Sequence, residues 1–241
     1  MNIDTLVRNN VKKMSSYSSA RDDFKKENEK KLIYLDANES PFDNGINRYP
    51  DNKHTELKKV VSDIKNVNIN QVIFGNGTDE ILDLIVRVFC KPSEDKIITL
   101  PPTYGMYDII AKTNGVENIE IPLKSDFSID KNEILKSCTT STKVLFLCSP
   151  NNPTGNSFDT NNLTDLIKSF KGIVVVDEAY IDFSSKQSLI SLIEDNNNLI
   201  ITQTMSKAYG LAGIRLGMGF SNEKIINYLN KIKPPYNINI L

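Results

Sequence analysis

Five groups of residues could do chemistry, and each follows a short apolar run. After VIF come Gly75, Asn76, Gly77, Thr78, Asp79 and Glu80, leading directly into a helical pattern. Glycine lets a backbone approach a ligand closely, and the first turn of a helix offers unpaired N–H groups at a positive dipole end, a suitable seat for one phosphate. Thr78 or Asp79 could equally be a plain N-cap. After KIITL comes PPTYGMY, whose Tyr104 could stack on a flat ring or close off the core. After KVLFL comes CSPNNPTG, a rigid turn that would hold Asn152 ready to donate to a ligand oxygen. After GIVVV come Asp177, Glu178, Ala179 and Tyr180. A carboxylate ending an apolar strand is costly unless a cation or hydrogen-bond donors meet it, and a protonated ring nitrogen would be such a partner. A helix-capping role for Asp177 is the alternative. After NLIITQ comes TMSKAYGLAGIRLG, in which Lys207 sits among small residues and Arg215 lies close enough to complete an anion site with Ser206.

The elements that must position these groups alternate along the chain. ELKKVVSDI, TDEILDLIVRVFC, TYGMYDIIAKT, the stretch around IDKNEILKS, and NNLTDLIKSF have helical spacing. VIFG, KIITL, KVLFL, GIVVV and NLIITQ are short apolar runs rich in Val and Ile, and NIEIPL is extended. Continuous apolar strands suit a sheet covered on both faces. The alternation predicts an α/β fold, a three-layer α/β/α arrangement around a mainly parallel sheet, in which ligands bind beyond the carboxyl ends of the strands. The first forty or so residues are polar and charged and read as an arm with one helix, the bland alternative being a solvated segment, and NNN at 196–198 reads as a turn.

With 29 Lys and Arg against 30 Asp and Glu, the net charge of −1 provides no global field for nucleic acid or an anionic membrane. Any anion must be held locally. Cys90, Cys138 and Cys148 are odd in number and lack metal-ligand spacing, so neither a disulfide framework nor a metal site is expected, and the apolar contexts of Cys90 and Cys148 predict burial. No apolar run approaches membrane-spanning length and the first residues lack a signal-peptide core, so a cytoplasmic location is expected. The single histidine, His54, lies in a polar stretch and reads as a surface residue. GNGTDE lacks the three-glycine spacing of a dinucleotide-binding turn, which disfavours a Rossmann oxidoreductase.

Taken together, YSSAR, LDANESP, NRYPD, GNGTDE, PPTYGMY, CSPNNPTG, VVVDEAYIDF, MSKAYGLAGIRLG and KPPYNIN resemble the fold-type I pyridoxal-phosphate aminotransferases, and among them the histidinol-phosphate aminotransferase group. The resemblance implies that Lys207 forms a Schiff base with pyridoxal 5'-phosphate and shuttles the proton. It implies that Asp177 pairs with the pyridine nitrogen, that Asn152 and Tyr180 hydrogen-bond the phenolic oxygen, and that Tyr104 stacks on the ring. Gly77, Thr78 and Asp79, with Ser206 and Arg215, would cradle the phosphate, and Tyr49 of NRYP would reach the phosphate in a neighbouring subunit, which implies a homodimer. A nucleophilic lysine is favoured by burial beside cations. The implied reaction is transamination between a phosphorylated amine, histidinol phosphate, and 2-oxoglutarate or glutamate in histidine biosynthesis. A threonine-phosphate decarboxylase, an aromatic or aspartate aminotransferase, and an inactive cofactor-binding fragment are the alternatives. The expected division is an N-terminal arm with part of a small domain at 1–42 and a cofactor-binding large domain at 43–241. Because the sequence ends soon after PPYNIN, the resemblance also implies a missing C-terminal small domain, the part that carries the arginines for the substrate carboxylate. Tyr17 and Asn38 are further candidate substrate contacts.

Overall fold

A computed structural model describes residues 1–18 and 33–240. The end of the YSSAR motif and the charged stretch DDFKKENEKK lie outside the described residues. The apolar runs form the strands β1 (Val72–Asn76), β2 (Lys96–Thr99), β3 (Glu117–Glu120), β4 (Thr142–Cys148), β5 (Ile173–Asp177), β6 (Leu199–Thr204) and β7 (Leu216–Ser221). They make one sheet in the order β1-β7-β6-β5-β4-β2-β3. Pairing is parallel from β3 through β6, and β7 runs antiparallel to both β6 and β1.

Among the described residues the α-helices are α1 (Asn9–Lys13), α2 (Thr55–Lys65), α3 (Thr78–Phe89), α4 (Met106–Thr113), α5 (Lys131–Ser137), α6 (Thr160–Ser169) and α7 (Glu223–Ile232). Because side chains alternate along a strand, each strand feeds both faces of the sheet. In β5, Ile173 and Val175 pack toward Leu82, Ile85 and Phe89 of α3, Ile110 of α4 and Leu229 of α7. Val174 and Val176 pack on the other face with Val61 of α2, Ile134 of α5 and Leu166 of α6. This is the expected α/β/α sandwich, and it accounts for the unbroken apolar runs, since no face of a central strand meets water.

Two elements depart from the expectation. The first residues are not a solvated arm: Ile3, Val7 and Val11 are buried in the core on the α3 face. Arg8 N–H donates to the Val88 carbonyl at 3.0 Å, and Asp4 accepts from Lys224 and Tyr228 of α7 at 2.7 and 2.8 Å. Apolar residues at 3, 7 and 11 make one stripe among polar neighbours, which a composition-level reading averages away. Strand β7 (LGMGFS) was also not foreseen, because its glycines resemble a loop. They are small because α3 and β1 lie against them: a Cβ on Gly217 would come within 2.3 Å of Thr78 N, and one on Gly219 within 2.9 Å of Ile73 of β1 and 3.2 Å of Ile81 of α3. No helix among the described residues is long and apolar enough to cross a membrane.

Candidate active site

At the carboxyl ends of β4, β5 and β6 a cavity of about 100 Å³ is lined by Gly77, Thr78, Asp79, Tyr104, Asn152, Asp177, Tyr180, Ser206, Lys207 and Arg215, along with Cys148, Ala179 and Thr204. Sequence separations of more than a hundred residues thus close onto one place. Crossing at the strand ends brings them there, as the parallel topology requires.

The floor is Asp177, the last residue of β5 and fully enclosed. Its Oδ2 accepts from the Tyr107 hydroxyl at 2.7 Å, and its Oδ1 accepts from Thr202 Oγ1 at 3.1 Å and from Ala179 N–H at 3.2 Å. Burial raises the carboxyl above the ordinary carboxylate range, and these three donors oppose that rise. Asp177 is therefore no helix cap. Tyr107 is itself buried and stacks on Phe146, ring centroids 4.8 Å apart, so its hydroxyl is held rigidly on the carboxylate. Burial, followed by the Asp177 charge, pushes the Tyr107 phenol well above its usual range, so it stays a donor. Tyr107 and Thr202 were missed in the sequence, although Tyr107 lies three residues beyond Tyr104, on the α4 face that turns inward.

One wall is aromatic. Tyr104 donates to Asp79 Oδ1 at 3.1 Å and packs edge-on to Tyr107 at 5.5 Å. Burial and the adjacent Asp79 push its phenol up to about 12. Asn152 Nδ2 reaches the Tyr180 hydroxyl at 3.4 Å, and Lys207 Nζ lies 5.4 Å from the Tyr180 ring centroid. The segment carrying Tyr180 is pinned by its neighbour Glu178, which is buried and accepts from Leu189 N–H at 2.7 Å and Gln203 Nε2 at 2.9 Å. Contrary to the expectation of burial beside cations, Lys207 is exposed on the rim, because the loop that carries it has no element of the described chain packed over it.

The other end is a cradle. Gly77 has φ +75° and precedes α3, whose first-turn N–H groups are unsatisfied by any capping side chain. Neither Thr78 nor Asp79 is the N-cap, which is Gly77 itself. Gly77 N–H donates to the Arg215 carbonyl at 2.7 Å, and a Cβ at Gly77 would lie 2.7 Å from Arg215 Nη2. The guanidinium and the helix start therefore face one small space. Arg215 has a left-handed backbone (φ +59°), and Ser206 is set by its N–H donating to Thr204 Oγ1 at 3.1 Å.

Three predicted residues lie elsewhere. Tyr49 stacks on Tyr236 at 4.6 Å and, with Asn38, lines a separate cavity near Arg48 and Asn239. Tyr17 lines a third cavity near His54. Cys90 and Cys148 are buried as expected, whereas His54 is buried rather than on the surface.

The sequence model for "Aminotransferase class I and II" matches residues 22–240. The chain belongs to this family. It is 54% identical over 239 residues to the histidinol-phosphate aminotransferase of Flavobacterium johnsoniae, covering 99% of this chain and 68% of that protein. To the histidinol-phosphate aminotransferase of Flavobacterium psychrophilum it is 55% identical over 240 residues, covering 100% and 69%. Among solved structures, the histidinol-phosphate aminotransferase of Clostridium acetobutylicum superposes with a TM-score of 0.72 at 27% identity, over 80% of this chain and 58% of that one. The family member thus spans about two thirds of the length of the curated relatives it matches.

Proposed function

We propose that this chain forms the cofactor-binding large domain, over residues 43–241, of a pyridoxal-phosphate-dependent aminotransferase that moves an amino group between histidinol phosphate and 2-oxoglutarate or glutamate in histidine biosynthesis. Residues 1–42 would be an N-terminal arm and part of a small domain, and the protein would work as a cytoplasmic homodimer. One observation carries the reading: Lys207, Asp177, Asn152, Tyr180 and Arg215 line a single cavity at the strand ends. The names of relatives at 54 and 55% identity support the substrate.

The donor set fits pyridoxal phosphate at both ends of the cavity. A buried carboxylate supplied with three fixed donors suits a protonated ring nitrogen, and a glycine-started helix facing a guanidinium suits a phosphate. When bound, the cofactor supplies an aldehyde for the amine and a protonated ring that draws in electrons from the substrate carbon. Asp177 holds the proton on the ring nitrogen, and Tyr107 and Thr202 keep the carboxylate oriented. Asn152 and Tyr180 donate to the ring oxygen, and Tyr104 covers the ring face. Gly77, Thr78 and Asp79, with Ser206 and Arg215, bind the phosphate. Lys207 Nζ would take up the proton released from the substrate carbon that bears the amine and hand it to the carbon that had carried the aldehyde, within the same half-reaction. Tyr49, set outside this cavity, would serve the phosphate of the second subunit.

The test is stoichiometric. Histidinol phosphate added to cofactor-loaded protein should abolish the visible band, and 2-oxoglutarate should restore it. Carbon dioxide release from threonine phosphate, with no response to histidinol phosphate, would replace this substrate by that of a decarboxylase.

A further inference from the structure

At the open edge of the sheet, beside β1, a cavity of about 200 Å³ lies between the start of α2 and the end of α7. It shares no residue with the candidate active site. His54, Lys58, Phe74 and Lys233 line it, together with Lys53 and Tyr17.

His54 is 7% exposed, yet its Nε2 has no hydrogen-bond partner. A buried, unmet ring nitrogen costs free energy, so such groups call for an explanation. The residue also has a left-handed backbone (φ +52°), uncommon for a non-glycine residue, and its ring meets Phe74 edge-on at 5.8 Å. Lys58 stands one turn further along α2 and is half-buried. Lys233 is half-buried too, with Nζ donating to Asn237 Oδ1 at 3.0 Å and to the Asn52 carbonyl at 3.5 Å.

Among the described residues, no carboxylate forms an ion pair with Lys58 or Lys233. The acidic groups facing them are committed elsewhere. Asp51 accepts the N–H groups of Lys53 and Thr55 at 2.9 and 2.8 Å, and Glu80 accepts from Asn76 N–H and Asn237 Nδ2. The consequence is visible in the titrating groups. Burial lowers Lys58; burial and the charge of Lys58 lower Lys233 to about 8 against the opposing pull of Glu80; burial and both lysines lower His54 to about 4. Two partly desolvated ammonium groups and an imidazole with an unpartnered Nε2 share one cavity without a counter-charge among its lining residues.

We propose that this cavity is a binding site for a phosphate group, with Lys58 and Lys233 supplying the charge and His54 Nε2–H the oriented hydrogen bond. Lysine is a point-charge phosphate binder, and a phosphate has the acceptor oxygens to satisfy all three groups at once. The site is independent of the cofactor reading, since it involves none of the residues of that cavity.

Because the protein has one histidine, its imidazole gives a single, unambiguous NMR signal. Inorganic phosphate, titrated at constant ionic strength with chloride as the control, should shift that signal saturably and raise its titration midpoint from near pH 4 by roughly a unit. Glycerol phosphate in a parallel titration separates a free-ion site, where only inorganic phosphate acts, from one that takes phosphate monoesters; either result supports the proposal. Lys58→Met should abolish the response, as should Lys233→Met, and Lys58 makes no side-chain hydrogen bond that its replacement would break. Phosphate lodged in the Thr78–Arg215 cradle would leave His54 unmoved and would not depend on Lys58. A shift no larger than that produced by chloride, or one that survives in Lys58→Met, overturns the proposal.

Discussion

Replacing Tyr107 with Phe removes one oxygen from the most enclosed part of the candidate active site. The ring remains, so the stack on Phe146 at 4.8 Å is kept and little packing is lost. What goes is the 2.7 Å hydrogen bond to Asp177 Oδ2. Hydrogen bonds to charged groups contribute about 1.5–3 kcal/mol, so a loss of about 2 kcal/mol is expected at pH 7. For a protein of this size that lowers Tm by about 4–8 °C. The sign of the pH dependence follows from Asp177. Its carboxyl, raised by burial above the unfolded value of 3.8, contributes stability that is present below 3.8 and is lost as pH rises through the folded value. Tyr107 limits that loss by binding the anion. The deficit of Tyr107→Phe should therefore be largest at neutral pH and shrink as pH approaches 4, where a protonated Asp177 no longer presents an unmet charge. Thermal melts of both proteins at pH 7 and pH 4.5 measure it. Equal Tm values at pH 7, or a deficit that does not change with pH, would show that the phenol does not hold the carboxylate.

Other consequences follow from the packing and the charges. Gly217→Ala would drive a Cβ to 2.3 Å from Thr78 N, so the start of α3 must move; a loss of about 1–3 kcal/mol in chemical denaturation and weaker cofactor retention are expected together. Ile3→Ala should cost about 2–5 kcal/mol by the same assay, as for any core residue, whereas a solvated arm would give almost nothing. His54, whose folded value is lowered to about 4, contributes stability that is complete above its unfolded value of 6.5 and is lost as pH falls toward 4. His54→Phe should remove that slope from a plot of stability against pH.

Much of this was legible in the sequence, for identifiable reasons. VLFL and IVVV announce central strands because both faces of β4 and β5 are covered, so every position is apolar. The residues that follow them could be read as a site because parallel strands deliver their carboxyl ends to one edge. Other features were hidden because their cause is non-local. Gly217 and Gly219 look like loop residues until the contacts with α3 and with Ile73 of β1 explain the missing side chains. His54 sits among polar neighbours, and what buries it is Phe74 and Lys233, 20 and 179 positions away. Tyr107 carries no signal of its own within PPTYGMY; only the folded chain brings its hydroxyl onto Asp177, 70 residues further along. The apolar stripe of Ile3, Val7 and Val11 was present but diluted by the charged residues around it.

The central claim is that Lys207 holds pyridoxal phosphate in the cavity over Asp177. Its most direct test is the visible absorption of the protein purified with the cofactor, compared with Lys207→Ala treated identically. A band that persists through gel filtration in the parent and is absent from the variant is the predicted result. A folded parent protein with no band, or the same band in Lys207→Ala, would contradict it.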